Sequence, residues 1–260
     1  MKRFIPDFVA IPALTILALT ILGLSQVHAQ KLDNNIKGIV YDRETTFDMR
    51  LHTFGYAANI DFGKLKTYYK TTFYQFGLGE LKSNKEVSRS SEFGGANQTS
   101  LTGFSYGKQN ACFALRAGYG SKIYFTEKAS KNGVALGMSY AGGVTIAMMK
   151  PYYLEIVTGD RSPNIDVKYT PSTAAQFLDL TMIRGRSNFF TGIGETTFIP
   201  GLHGEIAVHL DWGAFDEFLR AVEAGIMLDV FPKKVPIMIN QLNRPYFLNL
   251  YASVQLGKRK

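Results

Sequence analysis

Cysteine is almost absent from this chain of 260 residues, in which Cys112 is the only thiol. One cysteine cannot form a disulfide within the chain, so the sequence excludes a disulfide-stapled secreted scaffold. Cys112 lies beside the apolar Phe113 in an apparent strand. We therefore predict a packed, unreactive thiol and a stability that comes from strand pairing.

Long hydrophobic runs are also scarce, and the one clear example is at the start of the chain. Lys2 and Arg3 precede an apolar run over residues 8–24, and Val27-His28-Ala29 then places small residues where a signal peptidase cleaves. This order of charge, apolar run and small residues predicts a secretory signal peptide over residues 1–29. A retained membrane helix is the alternative interpretation.

Residues 30–260 form a single predicted domain, because they are too few for two domains of ordinary size with long loops. No apolar run among them approaches the roughly 18 residues that a membrane helix requires. An exported chain without helical spans can still enter a membrane as a closed β-barrel, since closure satisfies every backbone hydrogen bond.

Motifs for cofactors and catalysis are missing as well. The sequence has no Walker loop, no Rossmann glycine fingerprint, no paired cysteines and no His-Glu-x-x-His. Ser139 and Ser253 lie in no nucleophile elbow. We predict no cofactor, no catalytic residues and a protein that is not an enzyme.

Alternation of apolar and polar residues is the strongest pattern present, and it recurs in Gly201–Trp212, Arg220–Phe231 and Tyr246–Gly257. Successive side chains of a strand point to opposite faces, so each segment predicts a strand with one apolar and one polar face. Their lengths match the roughly 9 to 11 residues of a tilted membrane-spanning strand. A half-buried strand of a soluble sheet is the alternative.

Further strands are predicted upstream of these three. They lie at Gly38–Thr53, Tyr56–Phe62, Lys66–Glu80, 110–125, 133–148 and Pro151–Val157. Phe54-Gly55 is either a hairpin turn or a glycine bulge, which changes the strand count by one. We predict an all-β, antiparallel, closed transmembrane β-barrel of about eight strands, or ten, with long loops.

Two long polar connections separate the predicted strands, over residues 81–108 and 158–200. The second contains a candidate short helix, Ala174–Met182. Outer-membrane barrels place their long loops outside, so both connections are candidate extracellular segments. Aromatic residues at strand ends, among them Phe231 and Phe247, suggest interfacial girdles.

The polar faces of the strands carry ionisable residues that we place in the barrel lumen. The predicted network comprises His203, Glu205, His209, Asp211, Glu223 and Asp229, with Arg116 and Lys122 as its cations. An eight-stranded barrel is just wide enough for side chains to fill, which favours a closed interior over a channel. Residues two apart on one face lie roughly 6.5 to 7 Å apart, so the sequence disfavours a metal site in this row and none is predicted.

The net charge of +8 and the pI near 9.4 come largely from cations in apparent loops. Export argues against nucleic acid as a partner. Clusters such as Lys82, Lys85 and Arg89, or Lys258-Arg259-Lys260, predict contacts with outer-membrane lipid or lipopolysaccharide. A purely solubilising role is the alternative.

Several motifs resemble a group of known proteins. They are Tyr-Gly-Lys-Gln-Asn (106–110), Leu-Arg-Ala-Gly-Tyr-Gly (115–120), Lys-Pro-Tyr-Tyr-Leu-Glu (150–155), Pro-Gly-Leu-His-Gly (200–204), Pro-Lys-Lys-Val-Pro-Ile-Met (232–238) and the C-terminal stretch 247–259. Together they are similar to small outer-membrane β-barrel proteins of Bacteroidota-type bacteria. The resemblance implies the barrel fold and an outer-membrane location, and it supplies no catalytic residues.

The predicted function is that of an outer-membrane β-barrel with a structural, envelope-assembly or interaction role, acting on lipid or on an envelope protein partner. A narrow porin or a small-ligand-binding barrel is the first alternative, and it requires an open lumen. An outer-membrane lipid hydrolase is the second, and it requires His203 or His209 to be essential for turnover.

Overall fold

A computed structural model of the chain describes residues 41–89, 103–126, 133–157, 164–212, 217–239 and 243–260. The predicted signal peptide lies outside these ranges. Eight long strands form one closed barrel in which every strand is antiparallel to both neighbours. The predicted closed antiparallel barrel is therefore confirmed, with eight strands and not ten.

The described residues contain thirteen strands and one short α-helix. In chain order the elements are β1 (Arg43–His52), β2 (Gly55–Thr67), β3 (Lys70–Leu81), β4 (Ser88–Arg89), β5 (Phe104–Ser105), β6 (Asn110–Tyr124), β7 (Ala135–Pro151), β8 (Tyr153–Ile156), β9 (Ile165–Lys168), α1 (Ala174–Leu178), β10 (Ile183–Arg186), a 3-10 turn (Ile193–Glu195), β11 (Thr197–Asp211), β12 (Phe218–Val230) and β13 (Tyr246–Arg259).

The barrel is a meander that its first and last strands close. Around the wall the order is β1, β2, β3, β6, β7, β11, β12 and β13, and β13 pairs with β1 from Glu44 opposite Arg259 to His52 opposite Tyr251. Closure leaves no strand edge with unpaired backbone groups, which is the condition for a sheet to lie in hydrocarbon.

Short and long connections lie at opposite ends of the barrel. Both chain termini of the barrel, the tight turn at Tyr68–Tyr69 and the connections after β6 and β11 lie at one end, which we call the turn end. The hairpin turn at Thr53–Phe54 and the connections 82–109, 152–196 and 231–245 lie at the other, the loop end. In outer-membrane barrels the end with long loops is extracellular.

The structure settles the ambiguity at Phe54-Gly55. β1 pairs directly with β2, so Thr53 and Phe54 form a hairpin turn and not a bulge. Gly55 follows with φ +147°, and a β-carbon there would lie 2.2 Å from the carbonyl oxygen of Glu80. Only glycine fits this close approach between β2 and the end of β3.

Several predicted boundaries differ from those in the structure. The strand expected to start at Lys66 starts at Lys70, because β2 continues past Gly63, pairs with β3 through Leu65 and again, after a shift in register, at Thr67, and turns only at Tyr68–Tyr69. The short strand predicted over Pro151–Val157 is present as β8, but it leaves the wall and pairs with β9 and β10 in a separate sheet, while Pro151 ends β7. The stretch 158–200, expected to be irregular, ends in the first four residues of β11.

The barrel is apolar outside and polar inside. Along β1 the residues alternate strictly between exposed and buried, with Phe47, Met49 and Leu51 exposed and Asp48 and Arg50 buried. Other strands repeat the pattern, and their exposed side chains include Phe76, Leu78, Val144, Ile206, Val208, Leu228, Leu250 and Val254. An apolar band around the whole wall is unfavourable in water and favourable in hydrocarbon, so the distribution is that of a transmembrane barrel.

A second layer of structure covers the loop end. The three-stranded sheet of β10, β8 and β9 packs with α1 around a small core, which we call the cap. Its buried side chains are Phe104, Leu154, Ile156, Val167, Phe177, Ile183 and Ile239. The predicted helix at Ala174–Met182 is present but shorter, since α1 ends at Leu178. Neither it nor any other helix in the described ranges has the length and apolarity to cross a bilayer.

Candidate functional site in the lumen and at the loop end

All eight residues predicted for the lumen lie inside the barrel. Seven are buried as whole residues, and the side chain of Glu205 is 4% exposed. Strand alternation brings them there, because the polar rows of β6, β11 and β12 all share the inward parity. They fall into two groups of contacts, one nearer the loop end and one nearer the turn end.

The group nearer the loop end is centred on Asp229 and Glu205. Arg116 donates two hydrogen bonds to Asp229, from Nε to Oδ1 at 3.0 Å and from Nη2 to Oδ2 at 2.7 Å. His203 lies between two carboxylates, with Nδ1 2.9 Å from Asp229 Oδ1 and Nε2 3.2 Å from Glu205 Oε2. An imidazolium ring donates from both nitrogens, so this position suits a charged histidine.

Glu205 is held by a cation that the sequence analysis did not assign to the network. Arg50 of β1 donates to Glu205 and, through Nη2 at 2.7 Å, to Asp48 Oδ2, while its guanidinium lies over the ring of Tyr251 at 4.1 Å. Gln75 Nε2 donates to Glu205 Oε1 at 3.1 Å. The carboxylate is thereby shared among three strands, and it crosslinks opposite sides of the wall.

The group nearer the turn end contains the other predicted residues. His209 Nδ1 lies 2.8 Å from Glu223 Oε1, and Tyr124 donates its hydroxyl to Asp211 Oδ2 at 3.0 Å. Arg259 donates to the same Asp211 oxygen at 3.0 Å. Lys122 Nζ lies 3.5 Å from Glu44 Oε1 and 3.9 Å from Asp61 Oδ2, and it donates to Gln255 Oε1 at 3.1 Å.

The two predicted cations have different kinds of partner. Arg116 binds Asp229, which was among its predicted partners, whereas Lys122 lies close to Glu44 and Asp61, which were not predicted for the network. The sequence alone could not assign these partners, because β1 and β2 become neighbours of the network only when the barrel closes. The polar residues that alternate along β1 and β2 were the sequence signal that these strands also face the lumen.

Arg259 shows the same limit at the C-terminus. The run Lys258-Arg259-Lys260 was predicted as a loop cluster facing lipid, yet Arg259 is 3% exposed and donates to Glu44 through Nε at 2.9 Å. Lys258, one residue earlier, is half exposed and pairs with Glu217 at 3.0 Å. Strand β13 continues through Arg259, so alternation and not local charge decides which cation enters the lumen.

An apolar plug closes the lumen at the loop end. Val235, Ile237 and Met238, from the connection after β12, are buried against inward-facing residues of the wall. Those wall residues are Leu81, Cys112, Ala114, Ala147, Met149 and Ile199, and Phe231, directly after β12, and Phe247 pack with them. Phe231 and Phe247 therefore face the plug and do not contribute to an interfacial girdle, contrary to the sequence interpretation.

Backbone hydrogen bonds fasten the plug to the wall. Gln109 donates its N–H to the carbonyl oxygen of Ile237 at 2.8 Å, and Ile239 donates to that of Gly107 at 2.8 Å. Asn110 Nδ2 donates to the carbonyl oxygen of Pro236 at 2.7 Å. The segment therefore pairs like an added strand with the start of β6, which holds its apolar side chains in place.

A cleft of about 980 Å³ lies at the loop end beside the plug. Lys82, Lys108, Arg186, Glu80 and Glu86 form its polar part, and its aromatic part is formed by Phe54, Tyr56, Phe113, Tyr152 and Phe189. Lys108 Nζ is 2.6 Å from Glu86 Oε1 and 5.6 Å from the centre of the Tyr152 ring. Burial raises the pKa of Tyr152, so this phenol stays neutral at physiological pH.

Chemically, the contacts at these sites are ion pairs and hydrogen bonds. His203 and His209 each contact carboxylates in the interior. Within the described ranges, no group of three or more His, Cys, Asp or Glu side chains is arranged to hold a metal ion. Ion-paired side chains occupy the lumen, and the plug and the cap cover the loop end.

Comparisons with known proteins give weak similarities only. No protein-family model matches the chain, and no curated protein matches it. The chain is similar to Neisserial surface protein A (7% identity, TM-score 0.41, 85% of this chain and 97% of that chain). It is also similar to the N-terminal barrel domain of Pseudomonas aeruginosa OprF (8% identity, TM-score 0.34, 85% of this chain and 98% of that chain). A third similar structure is Ail of Yersinia pestis (6% identity, TM-score 0.35, 85% of this chain and 100% of that chain). No conclusion about function follows from similarities of this size.

Proposed function

We propose that this protein is an exported outer-membrane β-barrel that anchors a folded cap at the cell surface and acts through the contacts of that cap. The observation that carries the proposal is the occupied lumen, in which buried ion pairs are covered by the plug of Val235, Ile237 and Met238. A filled barrel suits a scaffold or an envelope-assembly partner better than a pore.

The outer wall supports the membrane part of the proposal. Met49 and Leu51 of β1 are 63% and 72% exposed, values that only a hydrocarbon environment makes favourable for a whole ring of such residues. The strand number is even, and short turns lie at the end opposite the long loops, as in bacterial outer-membrane barrels. The loop end would then face the outside.

The charge of the loop end favours an anionic partner. The described residues of its three long connections include ten Lys or Arg and five Asp or Glu, so the surface is net positive. Lipopolysaccharide phosphates and anionic lipid head groups are the proposed ligands, and an envelope protein with an acidic surface is the proposed partner class.

The anionic-ligand proposal is tested by lipopolysaccharide binding to the purified protein in detergent at increasing salt. We expect binding that weakens as salt rises and that falls in the double variant Lys233→Gln/Lys234→Gln. Binding that is absent, or insensitive to both salt and the substitutions, overturns this part of the proposal.

The barrel proposal is tested by expressing the full chain in a Gram-negative host. We expect a band in the outer-membrane fraction whose gel mobility changes on boiling, as a closed barrel requires. In planar bilayers the purified protein should give no stepwise conductance. A soluble periplasmic product overturns the membrane location, whereas a heat-modifiable barrel that conducts favours the narrow-porin alternative.

The cleft favours a second candidate function, binding of a small polar ligand at the cell surface. Its lining combines charged side chains such as Arg186 and Glu86 with aromatic rings such as Tyr56, and it borders the lipid-facing wall. Ligand screening with the Arg186→Ala variant as control tests this candidate, and equal responses of the two proteins argue against it.

A further inference from the structure

We infer that residues 188–193 of the β7–β11 connection, which we call the aromatic turn, form a lipid-binding element that places Phe190 and Ile193 among acyl chains at the loop end of the barrel. The inference rests on the proposed function, because it requires the barrel to lie in a membrane. It goes further by assigning a membrane contact to one loop, outside the strands of the wall.

The exposure of the aromatic turn is the first observation. Phe189, Phe190 and Ile193 are 54%, 72% and 53% exposed, and Phe190 is as exposed as the lipid-facing Leu51. Three neighbouring large apolar side chains form a patch that soluble surfaces avoid.

The position of the turn is the second observation. Phe113 of β6, Met148 of β7 and Phe198 of β11 are paired across adjacent strands and all have the outward parity. The ring of Phe189 packs edge-on against that of Phe113, at 6.1 Å between centroids, and Phe190 packs on Phe189 at 5.6 Å. The patch is therefore continuous with the apolar wall.

The rigidity of the turn is the third observation. Asn188 accepts hydrogen bonds from the Phe190 N–H at its Oδ1 (2.9 Å) and from the Thr191 N–H at its carbonyl oxygen (3.1 Å). Gly192 has φ +78°, and a β-carbon there would lie 2.3 Å from the ring of Tyr153. The phenyl groups are thus held outward by a bonded turn.

Charged groups mark the upper edge of the patch. Lys150, two residues after Met148 with the same parity, is 8% exposed, and its Nζ lies 4.9 Å from the centre of the Phe189 ring. Beyond the turn, Lys168 Nζ binds Glu195 Oε2 at 2.6 Å and Tyr153 donates to the same oxygen at 3.0 Å. These two hydrogen bonds lower the pKa of Glu195. The apolar patch thus ends at charged groups, as expected for a surface that reaches the edge of the hydrocarbon layer.

Tryptophan quenching by brominated acyl chains tests the inference. Trp212 is the only tryptophan and lies at the turn end, so Trp212→Phe provides a silent background. In that background Phe190→Trp and Ile193→Trp report on the aromatic turn, Val254→Trp on the lipid-facing wall, and Val87→Trp on an exposed residue of another loop. Each protein is refolded into phosphatidylcholine vesicles brominated at a shallow or a deep acyl position.

We expect the tryptophan fluorescence of F190W and I193W to be quenched in the vesicles brominated at the shallow position. The quenching should be as strong as that of V254W in whichever vesicles quench V254W more, and aqueous acrylamide should quench F190W and I193W only weakly. V87W should show the reverse behaviour. If V254W is quenched while F190W and I193W behave like V87W, the barrel is in the membrane and the inference is wrong. If V254W is not quenched either, the membrane proposal itself fails, and the inference with it.

Discussion

Arg116 and Asp229 are joined by two parallel hydrogen bonds of 3.0 and 2.7 Å that cross the barrel lumen from β6 to β12. The two strands are separated in the wall by β7 and β11, so the pair links strands that share no backbone hydrogen bonds. Asp229 also contacts His203 at 2.9 Å, which couples the pair to Glu205 and Arg50.

Removing the cation should be costly because the carboxylate stays buried. Arg116→Leu is expected to lower the free energy of unfolding by about 3–5 kcal/mol, the loss typical of breaking a buried ion pair. Denaturant titration of the refolded barrel, followed by gel mobility, measures it. Lys258→Leu is the matched control: its pair with Glu217 is about half exposed, so it should cost about 1 kcal/mol or less. Equal losses would contradict the buried network.

A charge on the outer wall should be unfavourable only if that wall faces hydrocarbon. Ile206 lies midway along β11 on the outward face, and Ile206→Arg is expected to cost about 2–4 kcal/mol in lipid vesicles. Val230→Arg, on the same face at the end of β12, should cost about 0–1 kcal/mol near the interface. Similar small effects at both sites would argue for a soluble barrel.

The plug should contribute to stability through its apolar contacts. Ile237 is 2% exposed in the plug, and Ile237→Ala is expected to lower the free energy of unfolding by about 2–5 kcal/mol. In planar bilayers this variant should give no stepwise conductance, because the ion pairs below the plug still fill the lumen. Stepwise conductance in I237A would show that the plug alone closes the barrel.

The aromatic turn should depend on glycine at one position and not at its neighbour. Gly192→Ala would place an alanine in a left-handed backbone conformation and its β-carbon against the ring of Tyr153. We expect a strain of about 1–3 kcal/mol. Gly194→Ala meets nothing within 4 Å. We expect faster limited proteolysis of the 188–196 region in G192A than in the parent protein, and unchanged cleavage in G194A. Indistinguishable variants would show that the turn is not rigidly held.

Much of the wall and its interior follows from alternation. The inward faces of β6, β11 and β12 can be predicted from the sequence because polar residues recur at every second position. That parity identified His203, Glu205 and Asp229. Strand boundaries were less predictable. Gly63 and Lys64 separate two predicted strands, yet they continue β2, because both pair with β1 and with β3 and the pairing with β3 extends to Thr67.

The sequence by itself determined which face of each strand is wet, because the period of two is a local property of extended backbone. It also determined that no disulfide holds the chain together. Only the tertiary structure decided that Arg50 and Arg259 join the network and that Val235, Ile237 and Met238 close the lumen. Those contacts join residues up to 215 positions apart, as between Glu44 and Arg259. They depend on how the barrel closes, which no local pattern encodes.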